Sequence, residues 1–102
     1  MAKNWIIQYQ TRPDAADENA RLIEGVFAAL AELKPDNFRY TTYRLADDVT
    51  FVHVAQLLSG ENPLFTLSAF AEFQREIGQR CVAPPAASEA TIVGSYGCLA
   101  TV

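Results

Sequence analysis

The sequence has few of the residues on which metal and redox sites depend. It contains one histidine and two cysteines among 102 residues. The cysteines, Cys81 and Cys98, form no CxxC pair and have no histidine near them in the sequence. They therefore match neither a zinc site nor a redox motif. In a reducing cytoplasm we expect both to be inert thiols.

Positive charge is also scarce. Eight lysines and arginines stand against twelve aspartates and glutamates, which gives a net charge of −4. The basic residues are scattered, whereas phosphate binding requires them to be clustered. No glycine-rich loop leads from a strand into a helix, so nothing suggests a phosphate or dinucleotide site. We expect no nucleic-acid partner, and an uncharged or organic ligand fits better.

Long apolar runs are missing too. No segment approaches the roughly 18 consecutive apolar residues that a membrane span needs, and the apolar run near the N-terminus is too short for a secretory signal. Half of the residues are hydrophobic and 20% are charged, which is typical of a soluble globular protein. At this length we expect one domain over residues 1–102, located in the cytoplasm and away from any membrane.

Six segments show the periodicity of regular secondary structure. Strands alternate apolar and polar residues with period two, whereas helices repeat apolar residues at steps of three and four. The first helix, for example, carries Leu22, Val26, Leu30 and Leu33 on one stripe. The predicted order is strand, helix, strand, strand, helix, strand, at 4–12, 14–34, 38–45, 49–56, 64–80 and 90–99.

This order is the split βαβ unit of ferredoxin-like α+β domains. Two helices would cover one face of a four-stranded antiparallel sheet, and the other face would stay apolar. Because an exposed apolar face needs cover, a second copy of the chain is the simplest partner, and we expect a homodimer. The uncovered face should carry several of Ile6, Tyr43, Leu45, Phe51 or Val52, His53 and Val93.

The same order, with the passages FVHVAQLLSGENPLFTLSAFAEFQ, RCVAPP and IVGSY, resembles one group of small proteins. This is the antibiotic biosynthesis monooxygenase-like group of the dimeric α+β barrel superfamily. The resemblance implies that two sheets enclose a barrel and that each subunit has a pocket between sheet and helices. It also implies oxidation of hydroxylated aromatics or quinols by O₂ without a bound cofactor or metal. The haem-degrading branch has a histidine on the second helix, and 64–80 has none.

His53 is the candidate catalytic residue. An imidazole titrates near neutral pH and could accept a phenolic proton. The alternative is a structural histidine, bonded within the sheet or packed at the dimer contact. Its neighbours Val52 and Val54 point the opposite way, so His53 faces either the barrel or the helices, and the sequence leaves both open.

Three other residues are candidates for substrate binding. Arg39 and Tyr43 share a strand face and could together polarise an anionic oxygen, and Gln8 could hold a ligand hydroxyl. The alternatives are an edge charge for Arg39, an interface aromatic for Tyr43 and a bond across the dimer for Gln8.

The second helix and the loop before it offer weaker candidates. Phe65, Phe70 and Phe73 could line an aromatic pocket, although a phenylalanine stripe is ordinarily core, and Trp5 is expected to pack in the core. Asn62 would cap the helix, or its loop could gate a pocket.

Two functions remain open. The first is a cofactor-independent monooxygenase-like protein acting on a small phenolic or quinol substrate. The second is a non-catalytic homodimeric protein that binds a small ligand or a partner. A closed space lined by His53 and at least two other polar groups would favour the first, and a filled interior would favour the second.

Overall fold

The computed structural model describes residues 2–97, within which it has four strands and three helices. Short 3₁₀ turns at Pro13–Ala15 and Pro63–Thr66 precede the first two helices. In chain order the elements are β1 Lys3–Gln10, α1 Ala16–Leu33, β2 Phe38–Arg44, β3 Thr50–Leu57, α2 Ser68–Arg75, α3 Ile77–Arg80 and β4 Ala86–Ala90.

The strands form one antiparallel sheet in the order β2-β3-β1-β4. The predicted fold class, ferredoxin-like α+β with a four-stranded antiparallel sheet, is therefore confirmed. A tight turn fixes the β2–β3 hairpin, because the Asp47 carboxylate accepts hydrogen bonds from the backbone of Val49 and Thr50 and from the Thr50 hydroxyl. Asp48 completes the turn with a φ of 68°.

The register of β3 decides which side chains face the helices. His53 lies opposite Ile7 of β1 and Thr42 of β2. Since side chains alternate along a strand, Phe51, His53 and Ala55 point toward the helices, and all three are buried. Val52 and Val54 point to the outer face. His53 therefore faces the helices. Of Phe51 and Val52, the two alternatives for the uncovered face, it is Val52 that lies there.

The second helix was predicted to be continuous, and this prediction is wrong. The segment predicted as one helix over 64–80 begins as a 3₁₀ turn and is interrupted at Leu67 and at Glu76. Leu67 is extended, with a ψ of 126°, and Glu76 has a φ of −128°. The second break redirects the chain so that Arg80 packs back against α2, where it donates a 2.6 Å hydrogen bond to the Phe73 carbonyl oxygen. Apolar periodicity alone does not reveal such breaks.

The predicted final strand is also wrong in position. It was expected over 90–99, but β4 spans Ala86–Ala90, and residues 91–97 are not strand. The β-branched residues of this region misled the prediction, whereas the true strand is mostly alanine and pairs with β1 through backbone groups. Cys98, expected to be an inert thiol, and Leu99, the predicted strand end, lie outside the described residues.

Candidate functional site

A cavity of about 480 Å³ lies between the sheet and the segment that runs from the second 3₁₀ turn through α3. This volume is in the range of small-molecule sites. Its wall combines apolar and aromatic side chains with a few polar ones: Trp5, Ile7, Tyr9, Tyr40, His53, Ala55, Asn62, Leu64, Phe65, Phe70, Phe73, Gln74, Ile77, Pro85 and Ala87. None of these is Asp, Glu, Lys or Arg, so the cavity suits an uncharged aromatic ligand.

Aromatic rings form the wall opposite the sheet. Phe70 packs edge-on against Phe65 and also contacts Phe73, with centroids 6.0 and 6.2 Å apart. Phe73 is buried, whereas Phe65 is 78% exposed and lies on the 3₁₀ turn. These phenylalanines are thus both packing residues and cavity wall. Trp5 also lines the cavity from β1, where the sequence predicted core packing alone.

His53 lies in the wall of the cavity and makes hydrogen bonds through both ring nitrogens. Nε2 is 2.7 Å from the Tyr9 hydroxyl oxygen, and Nδ1 is 2.7 Å from the Tyr40 hydroxyl oxygen. Thr42 Oγ1 is a third neighbour, 3.2 Å from Nδ1. Because His53 is 2% exposed, these groups replace water as its bonding partners.

The polar cluster continues from Tyr9 away from the histidine. Asn19 of α1 donates from Nδ2 to the Tyr9 oxygen at 2.9 Å, and Arg80 donates from Nε to Asn19 Oδ1 at 2.9 Å. Arg80 is buried, and its guanidinium lies over the Phe73 ring at 5.3 Å from the centroid. An unbroken chain therefore runs from Arg80 to Tyr40. It joins the helices α1 and α3 to the three strands β1, β3 and β2.

Burial sets the protonation states in this cluster. It lowers the pKa of His53 to about 4, so the imidazole is neutral at pH 7. It also raises the pKa of Tyr40 to about 12. Burial raises the pKa of Tyr9 as well, although the Asn19 hydrogen bond and the Arg80 charge partly oppose that rise. Both phenols are therefore neutral, and each can donate its own proton.

Asn62 borders the cavity from the loop before the 3₁₀ turn. Its Oδ1 accepts from the Leu64 backbone N–H at 2.9 Å, which is the predicted capping role. Asn37 steadies this loop by donating from Nδ2 to the carbonyl oxygens of Ser59 and Glu61. With Oδ1 occupied by the cap, the Asn62 amide N–H₂ is left as a donor that a ligand could use.

The predicted site residues do not all meet. His53 lies in the cavity wall, but Gln8, Arg39 and Tyr43 are on the opposite face of the sheet, as the strand alternation requires. Gln8 and Tyr43 are exposed there, and Arg39 is half-buried. A substrate-binding role for these three requires a ligand on the outer face, and it stays a prediction.

Sequence reasoning missed four members of the polar cluster: Tyr9, Asn19, Tyr40 and Arg80. Tyr9 carried a partial signal, because it shares a strand face with Trp5 and Ile7. Asn19 and Arg80 carried a different signal, since each interrupts an apolar stripe on a helical segment. Their meeting across 61 positions of sequence could not be read from local pattern.

Two kinds of site are not found in the part of the chain that the structure describes. Among residues 2–97, no group of three or more His, Cys, Asp or Glu side chains is placed to hold a metal ion. Within the same range, no helix has both the length and the apolar character required for crossing a membrane.

Comparison with known proteins finds likeness in structure but not in sequence. No protein-family model matches the chain, and a search of curated proteins finds no match either. Solved structures do match. Rv0793 from Mycobacterium tuberculosis is 18% identical, with a TM-score of 0.74 over 93% of this chain and 98% of that chain.

Two further structures extend this likeness. SnoaB, a cofactor-independent oxygenase from Streptomyces nogalater whose structure is of a mutant form, is 14% identical with a TM-score of 0.69, over 94% of this chain and 97% of that one. A protein proposed to be an antibiotic biosynthesis monooxygenase from Nitrosomonas europaea is 11% identical with a TM-score of 0.74, over 94% of each chain. At these identities the likeness establishes the fold. The predicted resemblance to antibiotic biosynthesis monooxygenase-like proteins is thereby confirmed at the level of structure.

Proposed function

We propose that this chain is a cofactor-independent monooxygenase-like protein that acts on a small, uncharged phenolic or quinol substrate. The observation that carries the proposal is the cavity, which joins aromatic walls to a buried cluster of His53, Tyr9 and Tyr40. The fold shared with SnoaB, named as a cofactor-independent oxygenase, supports the same reaction class.

In the proposed reaction the substrate supplies the electrons that reduce O₂. An aromatic hydroxyl gives up electrons more readily once it has lost its proton, so the protein has to bind the ring, accept that proton and exclude water. His53 is the proposed proton acceptor, because it is neutral at pH 7. The Asn62 amide N–H₂ is the proposed donor to the substrate oxygen.

The proposal includes a homodimer. The outer face of the sheet exposes Ile6, Tyr43 and Val54, which are 40%, 55% and 37% accessible. A second copy that covered this face would remove these side chains from water and enclose a barrel between two sheets. Gln8 and Arg39 would then lie inside that barrel, where their proposed ligand contacts would have to occur. The single domain and the cytoplasmic location expected from the sequence are retained as part of this proposal.

A second candidate function is ligand binding without catalysis. It is favoured by the full hydrogen bonding of His53, which is also the arrangement of a purely structural histidine. The same cavity would then hold an aromatic molecule without changing it.

Oxygen uptake separates the two functions. An oxygen electrode would follow the native protein with a panel of hydroquinones and naphthols, beside the His53→Gln variant. We expect uptake by the native protein and a loss of about 10²-fold or more in the variant, as for removal of a general base. Binding of the panel without any oxygen uptake would favour the second candidate, and equal rates would remove His53 from the mechanism.

A further inference from the structure

The two hydrogen bonds of His53 limit how a proton can reach it. Nε2 is occupied by Tyr9 and Nδ1 by Tyr40, each at 2.7 Å. Direct transfer from a ligand to either nitrogen would break one of these bonds, and His53, at 2% exposed, has little access to solvent that could replace it. Both tyrosines line the cavity, so a ligand hydroxyl can meet them instead. A proton that moves from a ligand to His53 therefore passes through a tyrosine.

The far end of this series of hydrogen bonds, at Arg80, determines which tyrosine passes the proton to His53. A guanidinium has only donors, so Asn19 must turn its amide oxygen toward Arg80 and its N–H₂ toward Tyr9. The Tyr9 oxygen then accepts from Asn19, and the arrangement in which Tyr9 also donates has its proton pointing to His53 Nε2. In that arrangement the single N–H of the neutral imidazole lies on Nδ1, where Tyr40 Oη at 2.7 Å and Thr42 Oγ1 at 3.2 Å can accept it. Each group from Arg80 to His53 then donates to the next, and Tyr40 is the last acceptor.

Arg80 is well suited to impose that direction because it is held firmly. Its Nη2 donates to the Phe73 carbonyl oxygen at 2.6 Å, and its guanidinium stacks on the Phe73 ring. The side chain is 7% exposed, so it has no alternative partner in solvent. The break in the helix at Glu76 places it there.

We propose that Arg80, acting through Asn19, holds His53 in the tautomer with its proton on Nδ1, and that Tyr9 takes the hydroxyl proton of the substrate. In this step the substrate O–H bond breaks, its proton moves to Tyr9 Oη, and the proton of Tyr9 passes to His53 Nε2. The products are the substrate oxyanion and an imidazolium, and no electron is transferred. Tyr40 accepts from Nδ1 and keeps its own proton for a hydrogen bond to the oxyanion.

The tautomer is independent of any activity, whereas the proton step rests on the proposed function. Arg80 and Asn19 are positioning residues, because they act through Tyr9 and contact no substrate. The two parts are therefore tested separately.

Nitrogen NMR of the ligand-free protein tests the tautomer. The chain has one histidine, so ¹⁵N-labelled protein gives one pair of ring-nitrogen signals. At pH 7 we expect a proton on Nδ1 and none on Nε2, read from the nitrogen shifts and their couplings to ring protons. A proton on Nε2 in the native protein would overturn the assignment.

The Asn19→Asp variant tests the direction, because it keeps the size of the side chain and replaces a donor by an acceptor. Tyr9 would then donate to the carboxylate, and we expect the His53 proton to move to Nε2. The matched Arg80→Lys variant keeps a donor at that place, and we expect it to keep the proton on Nδ1. An unchanged tautomer in Asn19→Asp, with a native far-ultraviolet spectrum, would show that Asn19 does not set the direction.

The Tyr9→Phe variant tests the proton step. We expect kcat for oxygen uptake to fall about 10²-fold or more while KM changes little, because the ring remains and only the hydroxyl is lost. An unchanged kcat would overturn the relay and leave the proposed function intact. Absence of uptake by the native protein would overturn the proposed function and the relay together, while the NMR result on the tautomer would stand.

Discussion

Tyr9 and His53 lie on neighbouring antiparallel strands and share a 2.7 Å hydrogen bond between Oη and Nε2. Their rings also stack, with centroids 5.3 Å apart. The partners of the imidazole on every side are uncharged, since Tyr40 and Thr42 occupy Nδ1 and Phe73 packs on the ring. None of these partners is a carboxylate that could stabilise a protonated imidazole. Protonation of the ring therefore costs more free energy in the fold than in water.

The stability of the protein should therefore depend on pH through His53. Its pKa is about 4 in the fold, against 6.5 for the free side chain. Between these values the unfolded chain binds more protons, so the contribution is fully present above about pH 6.5 and is lost as the pH falls toward 4. We expect the free energy of unfolding to fall by about 2 kcal/mol through this group between pH 7.5 and pH 5.

Urea titrations at the two pH values measure this loss, and His53→Gln is the matched control. The variant lacks the titrating ring, so its decrease over the same interval should be smaller by that amount. Identical decreases in the two proteins would contradict a buried neutral histidine.

The affinity for a ligand should depend on the size of one side chain of β4, that of residue 87. Ala87 lines the cavity, whereas Ala86 precedes it and points to the other face. We expect Ala87→Leu to weaken the binding of a naphthol at least about 10-fold, since the added carbons occupy space that the ligand needs. Ala86→Leu is the matched control and should bind within about twofold of the native protein.

Trp5 provides the measurement for this comparison. It is the single tryptophan of the chain and lines the cavity, so quenching of its fluorescence reports occupancy. Equal dissociation constants for the two variants would place the ligand elsewhere.

A charged side chain placed on the outer face of the sheet should prevent the proposed dimer from forming. We expect Val54→Lys to convert a dimer into an 11.2 kDa monomer at micromolar concentration, because a lysine placed in an apolar contact loses its hydration. Leu33→Lys is the control, since Leu33 is 50% exposed at the end of α1 and away from the sheet. Sedimentation velocity distinguishes the species, and a native protein that sediments as a monomer would refute the proposed pairing.

The elements that the sequence predicted well are those fixed by local pattern. The α1 stripe and the β2–β3 hairpin follow from periodicity and turn chemistry within short segments. The face of β3 could not be predicted in this way. Phe51 alternates with Val52 and His53 with Val54, so both faces look apolar, and only the pairing with β1 decides between them.

The candidate site was predictable only in part, for a similar reason. His53 was predictable because it is the single histidine, but the rest of its hydrogen-bond cluster comes from β1, β2, α1 and α3. The role of Arg80 depends on a helix break at Glu76, where the sequence has neither proline nor glycine. Long-range hydrogen bonds of this kind leave no periodic trace in the sequence.

The place of β1 in the sheet has a consequence for how the chain folds as it is synthesised. β1 pairs on one edge with β3 and on the other with β4, which is the last of the four strands to be made. Closing such distant pairs costs more entropy than closing a hairpin, so they form late. A nascent chain that has emerged only as far as α3 would hold the hairpin and β1 but leave one edge of β1 open. The unpaired backbone groups of that edge are where another extended polypeptide would pair first.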